Sequence, residues 1–373
     1  MGLVRQLFAA LRRLRQRGFG WLAALLLQLP LAFALRAWRR IARPMNRGLF
    51  GRLSNGPRFE RFQDSLPAGA LPRLYVTVMP HVLHFLLPCL ALLRGHAQLV
   101  LLANGARSWE LRHLQEHLPE APLFRLHVVP LSSVDHGDVL SLLIRHQRGC
   151  FGVVDHDCYV FDRTFLQRLQ PAPDECLLTL FSERHPHIAV DVPLTHFLFL
   201  NGPPLHALCE RYGVDARLYR RAPSSTHAAF RRLGWPTDIH LKPYQRFHDT
   251  LHILLVLALA HGHRVRVLQT QSDLPFAHVG GTSIGSHHTK GLLALHTHLR
   301  FLELLGDEEL SRRYRFMTRP LTTAAEVLAL QRPGDPTWNG LSLLDRMMPL
   351  LSDALRQAWP QRYTSPPEEA RHP

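Results

Sequence analysis

Cys150-Phe151-Gly152-Val153-Val154-Asp155-His156-Asp157 is the stretch on which the reading of this chain turns: an uncharged run that stops at two aspartates one residue apart. A short continuous apolar run with β-branched valines predicts a strand buried on both faces, as in a parallel sheet. A strand that ends in Asp-x-Asp puts two carboxylates into one turn, where their oxygens can converge on a hard divalent cation. Mg²⁺ or Mn²⁺ suits such ligands, because either accepts waters and substrate phosphates as the rest of its shell. Asp155 and Asp157 are therefore candidate metal ligands, both expected to be exposed in a cleft. A solvated surface turn is the alternative reading of the same residues.

Working outward, Leu74–Met79, Gln98–Leu102 and Phe124–Val129 predict three earlier strands, and a helix over Asp138–His146 leads into Cys150–Val154. This alternation predicts the α/β class, with a mostly parallel, doubly wound sheet whose ligands bind beyond the carboxyl ends of its strands. Asp155 and Asp157 stand at such an end. Later strand-like pieces are Cys176–Phe181, Ile188–Val192 and Phe197–Leu200, followed by a polar, Arg-rich stretch over Arg220–Arg232. An apolar helix over Asp249–Ala260 runs into a strand over Arg264–Leu268. After Gly291 the pattern is helical, over Leu292–Leu305, Thr323–Leu330 and Leu341–Trp359.

The 373 residues are 46% hydrophobic and 20% charged, the balance of a folded protein, and they carry a formal net charge of +15. An anionic partner is expected. Arginine is spread through helices rather than set in basic runs with interleaved aromatics, and no finger, winged-helix or RNA-binding signature is present, so nucleic acid is the least favoured partner. Five cysteines without a CxxC pair predict a reduced compartment. In the first fifty residues an apolar stretch from Phe19 to Leu35, interrupted by Gln28 and Pro30, is flanked by arginines from Arg5 to Arg17 and at Arg36, Arg39, Arg40 and Arg43. It is at the lower length limit for a spanning helix. Its basic flanks predict a segment lying at the inner leaflet, on the cytoplasmic face, with a spanning helix and an ordinary packing helix as alternatives. The expected organisation is a membrane-associated segment over 1–48, a catalytic domain over 70–290, a helical extension over 291–360 and a disordered tail over 361–373.

Two further segments carry chemistry. His248-Asp249-Thr250 opens the apolar helix, ahead of Gly262-His263-Arg264-Val265. Ala277-His278-Val279-Gly280-Gly281-Thr282-Ser283 follows it. Gly280 and Gly281 would let backbone amides approach a phosphate, Thr282 and Ser283 could donate to its oxygens, and His287, His288 and Lys290 would add positive charge.

From about Leu74 to His288 these features resemble the GT-A class of glycosyltransferases and, more loosely, their inverting family 2 group. The resemblance implies a Rossmann-related sheet, a nucleotide-sugar donor, Asp249 as the catalytic base, and His278 as a late histidine completing the metal shell. It departs from the family where His248 replaces the usual acid before Asp249, which alternatively reads as a helix cap. It departs again where Met79-Pro80-His81 and Asn104-Gly105 stand in for acids that hold the nucleotide. The Gln-x-x-Arg-Trp signature of processive synthases is missing, so a single addition is expected. With a basic membrane-proximal arm, the expected acceptor is a glycan or a lipid-linked molecule. A nucleotidyl- or phosphotransferase using the same carboxylates, and a non-catalytic membrane-surface scaffold, are the competing functions.

Overall fold

The computed structural model describes residues 30, 33–34, 37–270, 272–280, 291–318, 321–331, 338 and 340–363. A π-helical segment, Asn46–Asn55, precedes α1 (Gly56–Asp64). Then come β1 (Arg73–Val78), α2 (Leu83–Leu93), β2 (Gln98–Ala103), α3 (Ser108–His117), β3 (Leu123–Arg125), α4 (His136–His146), β4 (Cys150–Val154) and β5 (Cys158–Val160). The middle of the chain forms α5 (Thr164–Gln167), β6 (Glu175–Thr179), β7 (Ser182–Arg184), β8 (Asp191–Pro193), β9 (Phe197–Asn201), α6 (Gly202–Tyr212), α7 (His227–Arg232), α8 (His252–Ala260), β10 (Arg264–Val267) and β11 (Phe276–His278). The last described helices are α9 (Leu292–Leu305), α10 (Glu308–Tyr314), α11 (Ala324–Leu328) and α12 (Leu341–Ala358).

Seven strands make one sheet in the order β10-β6-β9-β4-β1-β2-β3. The pairs β1–β2, β1–β4, β2–β3 and β6–β10 are parallel, and β9 runs antiparallel between β4 and β6. The sheet is thus mostly parallel, as expected, with one reversed strand. Because side chains alternate along a strand, each strand feeds two cores. Leu74, Val76 and Val78 of β1 enter one, with α2, α9 and α12; Tyr75 enters the other, with α4, α6 and α8. Every residue of α2 is buried, and each fully buried Leu or Phe there contributes about 1.5–3 kcal/mol.

Four expectations are corrected. The third strand is three residues long rather than six, since the chain beyond Arg125 leaves the sheet to bind the N-terminal segment. The strand expected over Ile188–Val192 is β8, which pairs only with β7, outside the main sheet. The helix expected from Asp249 begins at His252. Finally, the C-terminal helices complete the core rather than extending it: Phe301, Leu302, Tyr314, Met347 and Leu351 share one cluster with Leu74 and Val76.

The N-terminal segment is likewise built in. Asn46 and Asn55 are nine residues apart, about two and a half α-helical turns, which would put them on opposite sides. The wider π winding brings both to the buried face. The Asn46 side chain accepts from Val129 N (2.7 Å) and donates to Ser132 Oγ (2.9 Å) and Ser133 O (3.1 Å). Asn55 exchanges two hydrogen bonds with the His127 backbone. Arg43 pairs with Asp135, Arg47 with Asp138, and Trp38 Nε1 donates to Pro130 O. A boundary at residue 48 therefore cuts through packed structure. No described helix is long and apolar enough to cross a membrane, and most of the apolar stretch from Phe19 to Leu35 lies outside the described residues.

Candidate active site

The carboxyl end of β4 is where the sequence put the chemistry, and its geometry follows from strand pairing. Val154 pairs with Phe197 across the antiparallel β4–β9 ladder, so the next residues, Asp155 and His196, stand side by side; Asp155 N donates to His196 O at 2.9 Å. Cys158 N donates back to Asp155 O at 3.1 Å, closing Asp155-His156-Asp157-Cys158 into a hydrogen-bonded turn that reverses into β5. β5 pairs antiparallel with β11, which sets His278 opposite Cys158, and Val279 N donates to Asp157 O at 3.0 Å.

One oxygen of Asp155 and one ring nitrogen each of His196 and His278 all lie within 4.8 Å of one another, close enough together that they could hold a metal ion. The His196 and His278 rings stack with centroids 3.4 Å apart and planes at 14°. Asp155 Oδ2 is 3.5 Å from His196 Nδ1, and Asp155 Oδ1 is 3.9 Å from Nδ1 of His136, the first residue of α4. Asp157 differs from expectation. It is only 4% exposed rather than open to a cleft, and its Oδ1 lies 3.4 Å from His278 Nε2. Asp157 thus faces the His278 imidazole, in the position from which a carboxylate can orient a ring. The two thiols nearby, Cys89 and Cys158, are fully buried, and burial above all pushes both well above the usual thiol range, with Asp155 and Asp157 adding to the shift.

Asp249 connects to this cluster only through neighbours in the chain. Thr250 Oγ1 is close enough to Gly137, the neighbour of His136, to crowd a β-carbon there at 3.3 Å. Asp249 does not cap α8: the cap residue is Leu251, in a left-handed conformation with φ 71°, and no side chain bonds the first turn. The Asp249 carboxylate instead takes Lys242 Nζ at 2.8 Å, Gln245 Nε2 at 3.3 Å and the Thr250 amide at 2.8 Å. Burial raises its pKa, but the lysine and the amide outweigh that and leave it below the ordinary carboxylate value. His248, in the place of the usual acid, is buried and held down to about 4 by burial and by His240. Gly280 is described and exposed; Gly281, Thr282, Ser283, His287, His288 and Lys290 lie outside the described residues.

The residues that replace nucleotide-binding acids have structural duties. Asn104 exchanges hydrogen bonds with both backbone groups of Val134 (2.7 and 2.9 Å). Gly105, at φ +82°, lets Ser132 O come within 2.5 Å of where a β-carbon would stand. Together they hold the 129–134 loop against the end of β2. Sequence reading missed His196 and His136. Phe197–Leu200 was legible as a strand, but only its antiparallel register against β4 brings the preceding histidine to Asp155.

Residues 53–204, which span β1 to β9, match the family described as the StrH glycosyltransferase N-terminal domain. The resemblance to glycosyltransferases holds. Among solved structures, the chain is similar to the S. aureus protein TarS, residues 1–349, crystallised with UDP-GlcNAc: 14% identity, 79% of this chain and 83% of that one, TM-score 0.33. A second TarS 1–349 crystal structure gives 13% identity, coverage of 78% and 81%, and TM-score 0.31. Likenesses this distant add nothing to the family match. No curated protein sequence matches the chain.

Proposed function

We propose that the protein is a metal-dependent glycosyltransferase that moves a sugar from a nucleotide-diphosphate donor to a hydroxyl acceptor. The observation that carries the reading is the meeting of Asp155, His196 and His278 at the carboxyl end of a central strand, inside the segment matched to a glycosyltransferase domain for the first two. Two imidazoles and one carboxylate fit Mn²⁺ better than Mg²⁺, which favours all-oxygen shells. When bound, the metal supplies positive charge against the departing diphosphate. The chain's own residues do the rest. Asp155 and the two histidines would hold the metal, with Asp157 fixing the His278 ring. Asp249, kept ionised by Lys242, is the group to accept the acceptor's proton in an inverting displacement; the low pKa that Lys242 imposes makes it a weak base until donor and acceptor exclude water. The basic N-terminal arm supports placement at the cytoplasmic leaflet and a lipid-linked or envelope-glycan acceptor.

A donor panel that includes UDP-GlcNAc, assayed for released nucleoside diphosphate with and without Mn²⁺, tests this reading. Release of pyrophosphate instead would identify a nucleotidyltransferase. Absence of metal-dependent nucleotide-sugar binding would leave a scaffold. Asp249→Asn should retain donor binding and lose transfer; transfer at the parental rate would move the base to Asp191, Glu183 or Asp238.

A further inference from the structure

Half of the exposed large hydrophobic side chains among the described residues fall on two pieces of chain that touch one another: the stretch 33–53 and Leu131. Ile41, Met45, Leu49 and Leu53 recur every fourth residue; the last two lie on the π-helical segment that carries Asn46 and Asn55 inward, and all four are exposed. Ile41 is 59% exposed, Leu49 53% and Leu53 74%. Trp38 ties the row to the 129–134 loop through Pro130 O, and the next residue, Leu131, is 80% exposed at φ 58°. Its positive φ points this bulky apolar side chain out into water, where it joins the row in one exposed apolar patch.

The charge around the row says what covers it. The first 59 residues contain 12 arginines and no aspartate or glutamate. A second copy of this face would bring like charges together, whereas an anionic bilayer offers both the charge and the apolar depth that the row lacks. Resting on the membrane reading above, we propose that Ile41, Met45, Leu49, Leu53 and Leu131, flanked by Trp38, Arg39 and Arg40, form the face that lies in the surface of an anionic phospholipid bilayer. The inner face of the same helix holds the 127–135 loop and the first turn of α4, whose His136 adjoins Asp155. The lipid surface therefore sits at the catalytic end of the sheet, where an acceptor embedded in the bilayer would be presented.

The test uses the full chain with Leu49→Cys or Leu53→Cys, labelled by a water-soluble maleimide and read by mass spectrometry. Exposed Cys150, at the opposite end of β4 from Asp155, is the internal control. Vesicles containing phosphatidylserine should slow labelling at 49 and 53 by about tenfold or more while leaving Cys150 unchanged, as burial at the interface requires; phosphatidylcholine vesicles should not. Protein that sediments with anionic vesicles yet still labels at 49 and 53 would overturn the docking face and leave the membrane reading standing. Failure to sediment would overturn both. Protection that appears without vesicles and grows with protein concentration would assign the face to a second copy, and protection already complete in dilute protein would show that the chain covers it itself; either result refutes the proposal.

Discussion

Asn46→Ala is the perturbation that most directly tests how the N-terminal segment serves the site. The side chain is 3% exposed and makes three hydrogen bonds to the 129–133 loop. Ser132 Oγ keeps a second partner, Val129 O at 2.6 Å, so its loss is mild. The Val129 amide has no comparable replacement and is left buried without an acceptor. Two net hydrogen bonds at about 1 kcal/mol each, plus about 1–2 kcal/mol for the orphaned amide, give about 3–4 kcal/mol. The loss falls on local opening of the segment from the loop, so a global melt alone would understate it. Hydrogen exchange at the Val129 amide should quicken by two orders of magnitude or more, about tenfold per 1.4 kcal/mol. Metal-dependent turnover should fall as well, because the same loop leads to His136. Unchanged exchange at Val129 would show that the segment does not hold the loop and that residues 37–55 are dispensable after all.

Other outcomes follow from the same geometry. His196→Ala and Asp155→Asn should each remove measurable Mn²⁺ binding by calorimetry, whereas Asp157→Asn, which only loosens the His278 ring, should weaken it by roughly 10–100-fold; equal losses in all three would make Asp157 a ligand. Gly105→Ala should destabilise by about 1–3 kcal/mol in urea, through both its positive φ and the approach of Ser132 O; a neutral result would mean the loop can shift. Burial holds His81, His117 and His248 down to about 4 and His252 to about 3, so the folded chain keeps them neutral. Below pH 6.5 the unfolded chain binds protons that these folded rings refuse, and stability falls as pH drops toward 4, by at most about 1.4 kcal/mol per pH unit for each ring. A urea midpoint that stays level from pH 7 to pH 5 would contradict this.

The sequence by itself determined the strands that carry local signals. Cys150–Val154 and the aspartates after it were legible because a buried strand must be apolar throughout and a carboxylate pair stands out at its end, and both signals lie on neighbouring residues. The helix over Leu292–Leu305 was legible for the same kind of reason: its apolar periodicity and the glycine at each end are local. What only the tertiary structure decided is whatever depends on pairing between distant segments. His196 reaches Asp155 because β9 runs antiparallel to β4, and His278 reaches it because β11 pairs with β5; no local pattern encodes either register. The contact of Asp157 with His278 follows from that second pairing. The role of Asn46 was equally hidden. In sequence it is one polar residue in a basic, apolar arm, and only the winding of its helix and the position of the 129–133 loop give its amide group partners. Local physics chose the elements, and long-range hydrogen bonding and burial chose which of their side chains meet.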